Sequence, residues 1–460
     1  MFNKFFIWLC LIPFIALDGA KILRVKKSNQ STSVDPSELG SSWSKAFTNL
    51  QDALATAQAG DEIWVSEGTY LPTEGTTFES GYEREQSFSL VDGVSLYGGF
   101  KGNERNRLLR EGDTNQTILS GEIHDNPTYW SLHVITGHEL TSDIIIDGFR
   151  IEKGNANGVL NQLTDANQTV NVWGVGAGIF LWESSGDLKI DNCVFTQNYS
   201  MPEHGNGDGS CIYLNAKTFS NFDVKISNTK FIENYSDGSL FQLNGSTTYE
   251  QLSFTNVDFL NNNGHCVNVL GNSISQLSFA NVDFLNNNGQ DIGVVGQVSN
   301  ADFSQCTFIG NQGTETLISM TSLQKGTFEY CTFEKNKAEQ TITIPSNADD
   351  TLHEVILDNV QFSENNGTSL DAPENTQVLV SDSQFEGNNG SAIKAVYQVA
   401  VTNSIFQDLN DSAISMDGSP GFVEVRDSSF INNHSSNNGG AIFCKTINVA
   451  NIIFRENYAK

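Results

Sequence analysis

Two nearly identical stretches, QLSFTNVDFLNNNG at residues 251–264 and QLSFANVDFLNNNG at residues 276–289, decide the fold of this chain. They differ at one position in fourteen, so a tandem duplication is their simplest origin. Each contains an apolar residue, four residues, Phe, two residues and Asn. From residue 190 to the end this pattern occurs ten times, with its second aromatic position at Phe195, Phe231, Phe259, Phe284, Phe308, Phe333, Phe362, Phe385, Phe430 and Phe454. An eleventh copy, at Phe406, has Leu409 where Asn is expected.

A repeat of about 25 residues with short apolar and polar alternation predicts one coil of short strands per unit, and it excludes the longer helical repeats. We expect Phe and the apolar residue five positions earlier to face inward. Asn three positions before Phe predicts a turn, because Asn tolerates left-handed backbone conformations. Stacked copies then form ladders of Phe and of Asn, with a rise of about 4.8 Å per coil. The turn positions are Asn192, Asn228, Asn256, Asn281, Asn359, Asn403 and Asn451.

The region before residue 190 predicts about five less regular coils and a helix that closes the first of them. The coil segments are EIWVSEGTY at 62, VSLYGGF at 94, TILSGEI at 117, LHVITG at 132 and IIIDGFRIEKGN at 144. The helical stretch before them carries an apolar face, Thr48 and Gln51 spaced as a capping box, and Gly60 as a stop. The residues of that face are Phe47, Leu50, Leu54 and Ala57.

The N-terminus predicts export. Residues 1–20 combine an early Lys, an apolar run and a small-residue exit, which is typical of a secretory signal peptide. We therefore divide the chain into this signal peptide, an N-terminal strand and capping helix at 21–60, and a parallel β-helix at 61–460. Its coils are irregular over 61–189 and regular over 190–460. No later window is apolar enough to span a membrane, so we expect a secreted or cell-surface protein.

Composition bears on the partners and on the thiols. Lys and Arg total 25 against 54 Asp and Glu, a net charge of −29, which argues against nucleic-acid or anionic-membrane binding. Six cysteines remain outside the signal peptide, at spacings that match no zinc motif. Buried thiols and one or two disulfide bridges both fit this number. Cys306 and Cys331 occupy the same place in consecutive coils, and we expect them to be two buried thiols, since stacked side chains suit a disulfide poorly.

The Phe-x-x-Asn series, together with the Gly-Gly-Ala-Ile motif at 439–442, resembles the repeat region of chlamydial polymorphic outer membrane proteins. The signatures SWSKAF, AGDEIWVSEGTYLP, YGGFKGNE and TILSG within 42–121 are similar to the N-terminal part of secreted pectin-lyase-like proteins. The resemblance implies an all-β, right-handed parallel β-helix of about fifteen coils with an N-terminal capping helix. It also implies a surface or secreted passenger used in adhesion. The chlamydial proteins carry a C-terminal membrane barrel, whereas this sequence has no run of barrel strands before Lys460.

An enzyme on this scaffold is the alternative, because the same superfamily includes polysaccharide lyases and hydrolases. A lyase needs a Lys or Arg base, and after residue 160 the only Arg residues are Arg426 and Arg455. A hydrolase needs two neighbouring carboxylates, which adjacent coils can supply. The candidates are Asp258 with Asp283, Asp208 with Asp237, and Asp349 with Asp350. Because surface charges duplicated with the repeat are the better explanation of these pairs, no catalytic, cofactor-binding or metal-binding residue is assigned.

Three further sets of residues are weighed as sites. The basic run KGNERNRLLR at 101–110 could bind an anionic sugar, although a structural loop is the simpler interpretation. The histidines show no metal spacing and are interpreted as satisfied surface or turn residues; they are His124, His133, His138, His204, His265, His353 and His434. Asn-x-Ser/Thr sequons occur at Asn29, Asn115, Asn167, Asn198, Asn234, Asn244, Asn366, Asn389, Asn410 and Asn433, a number near chance. Of these, Asn198, Asn234 and Asn433 belong to the repeat and should be buried.

The sequence thus favours a non-catalytic module that binds extracellular glycans or proteins, without a cofactor. A lyase, hydrolase or epimerase is the alternative. The end of the sequence offers a further expectation. The half coil at Val449 to Asn457 is followed by no helix, Pro or charge block, so either the sequence is a fragment or something else caps this edge. We expect self-association or capping there.

Overall fold

A computed structural model gives the structure of the chain and describes residues 19–27, 35–111, 116–158, 162–164, 169–171, 174–202, 207–217, 221–313, 315–345, 352–372, 375–416, 421–436 and 439–459. These residues form a right-handed parallel β-helix, as the sequence predicts. Residues 1–18 of the expected signal peptide lie outside the described residues. Each coil contributes one stretch of strand, called a rung, to each of three parallel sheets. Along the chain, a coil forms its rung of the third sheet first, then its rung of the first sheet, and then its rung of the second sheet.

The first sheet contains the apolar residue five positions before each Phe. In the described residues it has fifteen parallel rungs, which agrees with the expected number of coils. Its strands are Ile22–Val25, Glu62–Ser66, Ser95–Phe100, Ile144–Asp147, Leu188–Asp191, Asn221–Ile232, Tyr235–Leu260, Asn263–Leu285, Ile292–Ser304, Thr316–Glu329, His353–Asp358, Thr376–Ser381, Gln398–Thr402, Phe422–Arg426 and Thr446–Ala450.

The second sheet contains the repeated Phe. Three of its strands, Asn221–Ile232, Tyr235–Leu260 and Asn263–Leu285, run on through the turn from the first sheet. Its other strands are Gly68–Tyr70, Thr117–Ser120, Phe149–Glu152, Val194–Thr196, Thr307–Ile309, Thr332–Glu334, Gln361–Ser363, Gln384–Glu386, Ile405–Gln407, Ser429–Ile431 and Ile453–Arg455.

The third sheet closes the cross-section. It shares the strands Tyr235–Leu260, Asn263–Leu285, Ile292–Ser304 and Thr316–Glu329 with the first sheet. Its other strands are Phe88–Ser89, Ile135–His138, Ile179–Ser184, Ile212–Ala216, Gln340–Thr343, Thr368–Asp371, Ile393–Lys394, Ile414–Ser415 and Ile442–Phe443. Short extra strands lie at Asn155–Ala156, Tyr199–Ser200, His434–Ser435 and Tyr458–Ala459, and Gln162–Thr164 pairs antiparallel with Thr169–Asn171.

Phe and Asn ladders fill the interior, as the repeat predicts. The rings stack almost in parallel from Phe195 to Phe430, with centroids between 4.6 and 5.0 Å apart. The Asn three residues after each Phe is buried and donates to a backbone carbonyl of the preceding coil, as Asn287 Nδ2 does to Phe259 O at 2.9 Å. Asn three residues before Phe forms a second, outer ladder with φ near +50°, so two amide ladders run along the solenoid.

The helix at the N-terminal end closes the core but is capped differently from the prediction. It spans Leu50–Thr56, and its N-cap is Asn49, whose side chain accepts from Asp52 N at 2.9 Å. The capping box at Thr48 and Gln51 is therefore wrong. Asn is a stronger N-cap than Thr. Gln51 donates instead to the carbonyls of Pro72 and Ser87, which ties the helix to the next coils.

The helix also ends earlier than Gly60, at Thr56. Its buried residues Leu50, Ala53 and Leu54 belong to the main core, together with Phe47. Phe47 bonds through its backbone to Arg24 and Lys26, so the outer edge of the first strand is partly paired. The N-terminal end of the solenoid is thus covered in both its side chains and its backbone.

The last rungs have no such cover among the described residues. Thr446–Ala450 and Ile453–Arg455 each pair with the preceding rung on one side. Their side chains Ile447, Val449 and Phe454, which continue the inward columns, are 45, 45 and 51% exposed. The equivalent Phe430 is fully buried. The expected apolar edge is therefore present in the structure.

The cysteines are free thiols in the described residues. Five of the six are buried, and only Cys444 is partly exposed. Cys306 and Cys331 lie in consecutive coils as expected, and contact between the two thiols together with burial raises the pKa of Cys306. Burial also raises the pKa of Cys193 to about 12. The solenoid is held together by packing and ladders of hydrogen bonds, not by disulfides.

Candidate functional site

An open groove of about 980 Å³ runs along the corner between the first and second sheets, over the irregular coils and the first two regular coils. One wall is the loop that contains the short 3₁₀ helix Arg107–Leu109. The other wall is the outer face of the second sheet, at Arg150 and Lys230. Turn residues, including Asn192 and Asn228, form the floor. We call this site, with its four basic side chains Arg107, Arg110, Arg150 and Lys230, the cationic groove.

Arg107 and Arg110 are held against aromatic rings of the first sheet. The Arg107 guanidinium lies 4.1 Å from the centroid of the Tyr97 ring and pairs with Glu62 at 2.8 Å. Arg110 forms a short ion pair with Asp147 and donates to Gly98 O at 3.2 Å. The side chain of Arg110 is 16% exposed, whereas that of Arg107 is 37% exposed. Arg110 therefore fixes the loop to the solenoid, and Arg107 remains accessible to a ligand.

The loop that carries these arginines folds around a carboxylate. The carboxylate of Glu104 accepts hydrogen bonds from the backbone N–H groups of Lys101, Gly102 and Asn103, at 2.6 to 2.9 Å. Burial opposes ionisation, but these bonds outweigh it and lower the pKa of Glu104. These bonds support the interpretation of residues 101–110 as a structural loop. The same loop also places two basic side chains on the groove, so the two interpretations are compatible.

Arg150 and Lys230 share one outward column of the second sheet. Arg150 pairs in register with Val194, and Val194 with Lys230, which places the two basic residues two rungs apart, about 10 Å. Arg150 contacts Glu152 at 2.5 Å, and Lys230 contacts Asp258 at 2.8 Å. The side chains are 36 and 53% exposed, so both remain accessible at the surface.

The column loses its positive charge beyond Lys230. The next rungs carry, in order, Asp258, Asp283, Thr307, Thr332, Gln361, Gln384, Ile405, Ser429 and Ile453. The whole sequence shows the same bias, because residues 1–230 contain 17 of the 25 Lys and Arg residues. The cationic groove is therefore a local concentration of positive charge on a strongly acidic chain.

Two carboxylates lie on consecutive rungs of the first sheet at this corner, and one of them, Asp147, lines the groove. The other, Asp191, is its register partner. Asp147 accepts from Asn192 Nδ2 at 3.0 Å, and Asp191 accepts from Ser227 Oγ and Asn228 Nδ2, both at 2.8 Å. Burial raises the pKa of Asp191, but bonds from Asn228, Ser227 and Lys189 outweigh it, so that pKa is lowered. Asp191 is thus held ionised.

Sequence reasoning did not single out Asp147 and Asp191. A signal was present, because aligning IIIDG at 144–148 with LKIDN at 188–192 places the two Asp residues at the same position. The pair Asp258 and Asp283 is in register as predicted, but Lys230 binds the first of them. In the second predicted pair, Asp208 with Asp237, the Asp208 carboxylate accepts a hydrogen bond from Ser239 Oγ. Asp349 and Asp350 lie outside the described residues.

The interpretation of all histidines as surface or turn residues is wrong for two of them. His133 is buried, stacks on Phe180 at 5.1 Å, and its Nδ1 lies 3.0 Å from Gly176 O. Burial lowers its pKa to about 4. His353 is also buried and contacts Leu323 O. Both rings fill space between coils, a role that sequence spacing does not reveal. His204 lies outside the described residues.

The described part of the chain brings together no group of three or more His, Cys, Asp and Glu side chains that could hold a metal ion.

A cluster of aromatic side chains, Phe180, Trp182 and Tyr213, lies on the outer face of the third sheet. Its rings are buried, and Tyr213 Oη accepts from Asn244 at 2.7 Å. Because these side chains are covered, the cationic groove is the better candidate for contact with a ligand.

Comparison with known proteins supports the fold. A family model described as right handed beta helix region matches residues 324–459. A search of curated proteins found no match. Among solved structures, PfbA, a surface adhesin of Streptococcus pneumoniae, is 14% identical with a TM-score of 0.39, and the alignment covers 89% of this chain and 87% of that chain.

Two carbohydrate-active enzymes are similar to a comparable degree. The periplasmic alginate epimerase AlgG is 8% identical with a TM-score of 0.34, over 70% of this chain and 76% of that chain. A rhamnogalacturonan lyase is 13% identical with a TM-score of 0.31, over 94% of this chain and 87% of that chain. At these identities and TM-scores, the likeness to solved structures supports no conclusion about the function of this chain. No helix in the described ranges has the length and apolar character needed to cross a membrane.

Proposed function

We propose that this chain is a secreted or cell-surface, non-catalytic β-helix protein that acts in adhesion and binds an extracellular glycan or protein through the cationic groove. An anionic glycan is the ligand that the groove suits best. The observation that carries the proposal is the gathering of Arg107, Arg110, Arg150 and Lys230 around one groove of a chain with a net charge of −29.

The electrostatic argument has two parts. Arg107, Arg150 and Lys230 are each at least one-third exposed, and an Arg fork can hold a carboxylate or sulfate with two parallel bonds. The acidic charge of the rest of the chain repels a polyanion, which directs it toward the cationic groove. Each of the three also has a carboxylate partner, with which a ligand must compete. We therefore expect moderate affinity that falls as salt is added.

A carbohydrate-active enzyme, whether lyase, hydrolase or epimerase, is the second candidate. The observation that favours it is the register pair of Asp147 and Asp191 beside Arg110. A paired-carboxylate mechanism needs one carboxyl that carries a proton near neutral pH. Asp191 does not fit that role because its pKa is lowered, and Asp147 is engaged in an ion pair with Arg110. This is why binding is preferred over hydrolysis.

The expected location and partners fit this proposal. The signal-like residues 1–20 support export, and the Phe-x-x-Asn series resembles the repeat region of surface proteins used in adhesion. The exposed apolar side chains of the last rungs support a second contact, in which that edge pairs with another chain. Nucleic acid is disfavoured as a partner because of the acidic charge.

The test uses residues 21–460 on a panel of immobilised glycans: polygalacturonate, alginate, heparan sulfate, chondroitin sulfate and neutral dextran. We expect binding to one or more of the acidic glycans, none to dextran, and weaker binding as NaCl rises from 50 to about 300 mM. The same mixtures are assayed for new reducing ends and unsaturated products. Product formation would replace the binding proposal with the enzymatic alternative. Equal binding to dextran, or no binding at all, would remove the groove as the site.

A further inference from the structure

The sequons divide sharply by environment. Seven of the ten lie in described residues, and Asn29, Asn115 and Asn167 do not. Four of the seven are buried: Asn198, Asn234, Asn244 and Asn433. The other three, Asn366, Asn389 and Asn410, are exposed. Burial of Asn198, Asn234 and Asn433 is what the repeat predicts.

The buried side chains have no room for an added group. An N-linked oligosaccharide is attached at Nδ2, and that atom is committed in the ladder. Asn198 Nδ2 donates to Ile151 O at 3.1 Å, and Asn433 Nδ2 donates to Phe406 O at 3.0 Å. Asn244 Nδ2 donates to buried Tyr213 Oη at 2.7 Å. A chain that carried a glycan at Asn198 or Asn433 could not complete the ladder, and one that carried it at Asn244 could not keep the bond to Tyr213.

The exposed sequons form one line on the surface. Each of the three Asn residues lies four positions after its Phe, on consecutive rungs at the corner beyond the second sheet. Asn389 Nδ2 donates to Asn366 Oδ1 at 3.0 Å, and Asn410 Nδ2 donates to Asn389 Oδ1 at 2.7 Å. The ladder has a direction, because each amide donates toward the preceding coil. No hydrogen bond from Asn366 Nδ2 is found among the described residues, so its reactive nitrogen points past the start of this line.

The line is also remote from the cationic groove. The groove floor lies three residues before Phe195 and Phe231, whereas the exposed sequons lie four residues after Phe362 and its successors. They therefore occupy opposite edges of the second sheet. Phe231, on the rung of the groove nearest to this line, and Phe362 are five rungs apart, about 24 Å along the axis. A glycan on this line leaves the groove open.

We propose that Asn366 is an N-glycosylation site, the first of a line of acceptors that continues with Asn389 and Asn410. The modification is an asparagine-linked oligosaccharide, and it takes place when the chain passes through a secretory compartment that performs it. This inference rests on the secretion included in the proposed function but not on the ligand of the groove. Asn389 and Asn410 are modified less, because a glycan on either competes with its ladder bond to the preceding Asn.

The test expresses the full chain, with its own N-terminal segment, in cultured animal cells. The secreted folded protein is treated with peptide N-glycosidase in ¹⁸O water and analysed by peptide mass spectrometry. We expect the ¹⁸O label at Asn366 in most molecules, less at Asn389 and Asn410, and none at Asn198, Asn234, Asn244 or Asn433. Thr368→Ala, which keeps the Asn, should remove the label from Asn366 alone. A version with a standard secretion signal keeps the test decisive if the native segment does not export the chain.

An unlabelled Asn366 in the secreted protein would overturn this proposal. Label at a buried sequon of the folded protein would contradict the amide ladder on which it rests. Binding of the same preparation to acidic glycans is measured in parallel, so that the two proposals fail separately. A labelled protein that binds no glycan refutes the groove and leaves the glycosylation site standing. An unlabelled protein that binds does the reverse.

Discussion

The coils before residue 231 and those after it share one backbone geometry but differ in what they place outside it. In the later coils the columns repeat almost exactly, and the outward residues beyond Asp283 are mostly neutral. In the earlier coils long loops interrupt the repeat, and Arg107, Arg110 and Arg150 gather at one corner. The regular repeat thus reflects the packing of side chains in the core, whereas the coils that depart from the repeat carry the part of the surface with a different charge.

The largest effect is expected in the regular core. Phe308 is fully buried and stacks between Phe284 and Phe333, with both centroid distances at 4.7 Å. Phe308→Ala should lower the free energy of unfolding by about 3 to 5 kcal/mol, because it leaves a cavity in the ladder. The neighbouring outward change Thr307→Ala should cost less than about 0.5 kcal/mol. Urea unfolding followed by circular dichroism measures both, and equal costs would refute the assigned facing.

The buried amide ladder comes next. Asn388 Nδ2 donates to Phe362 O at 2.9 Å, and Asn388 Oδ1 accepts from Asn365 N at 2.9 Å. Asn388→Ala leaves both backbone groups without a partner, at about 1 to 3 kcal/mol each. Its neighbour Asn389 is exposed, so Asn389→Ala is the matched control and should cost under about 0.5 kcal/mol. If the two variants unfold at the same urea concentration, the ladder is not a stabilising element.

Asp291 interrupts a column of buried, mostly apolar side chains and should make the free energy of unfolding depend on pH. Asp291 is fully buried in a column where its neighbours are Cys266 and Leu317, and Oδ2 has no hydrogen-bond partner in the described structure. Burial raises the pKa of Asp291 well above its ordinary value. Its contribution to stability is therefore fully present below pH 4 and is lost as pH rises through the folded pKa.

Asp291→Leu removes this titration. We expect the variant to gain stability relative to the parent from pH 4 upward, at about 1.4 kcal/mol per pH unit until the folded pKa is passed. Unfolding free energies between pH 4 and 8 test this. A constant difference across the range would show that Asp291 is ionised in the folded protein at every pH measured. A suitable control is the outward change Thr307→Ala, which removes no titratable group and should leave the pH profile unchanged.

The two ends of the solenoid give the next prediction. The first rung is covered by the helix Leu50–Thr56, whereas Ile447 and Phe454, which continue the inward columns in the last rungs, are 45 and 51% exposed. We expect residues 21–460 to self-associate at micromolar concentration through these last rungs, since an uncovered strand edge pairs readily. Ile453→Lys should shift the sedimentation velocity profile toward monomer. A parent protein that is already monomeric, with no change on substitution, would contradict the expectation.

Much of the fold could be predicted from the sequence because the repeat is long and strict. The facing of Phe308, the burial of Asn198 and the stacking of Cys306 on Cys331 all follow from periodicity alone. Capping could not be predicted as well, because Thr48 and Asn49 are both competent N-caps and the local sequence pattern does not select between them. The burial of His133 depends on Phe180, 47 residues away, and local pattern does not carry that information.

The candidate site was predicted only in part, for a similar reason. The basic run at 101–110 was visible, but its meeting with Arg150 and Lys230 depends on how many residues each irregular coil contains. Periodicity fixes that number after residue 190 and not before it. Asp147 and Asp191 show the same limitation. Their motifs match, but the pairing becomes clear only when the coils are stacked in register.

The central claim is that the cationic groove, and not charge in general, binds an acidic glycan. The most direct measurement compares two double variants of the 21–460 protein on the glycan selected by the panel. Arg150→Gln with Lys230→Gln removes two groove cations. Lys325→Gln with Arg426→Gln removes two cations that are similarly exposed and also paired with carboxylates, but lie outside the groove, in the coils after residue 231. We predict at least about tenfold weaker binding, about 1.4 kcal/mol, for the first pair and less than about twofold for the second. Equal losses in both, or no loss in the first, would contradict the account.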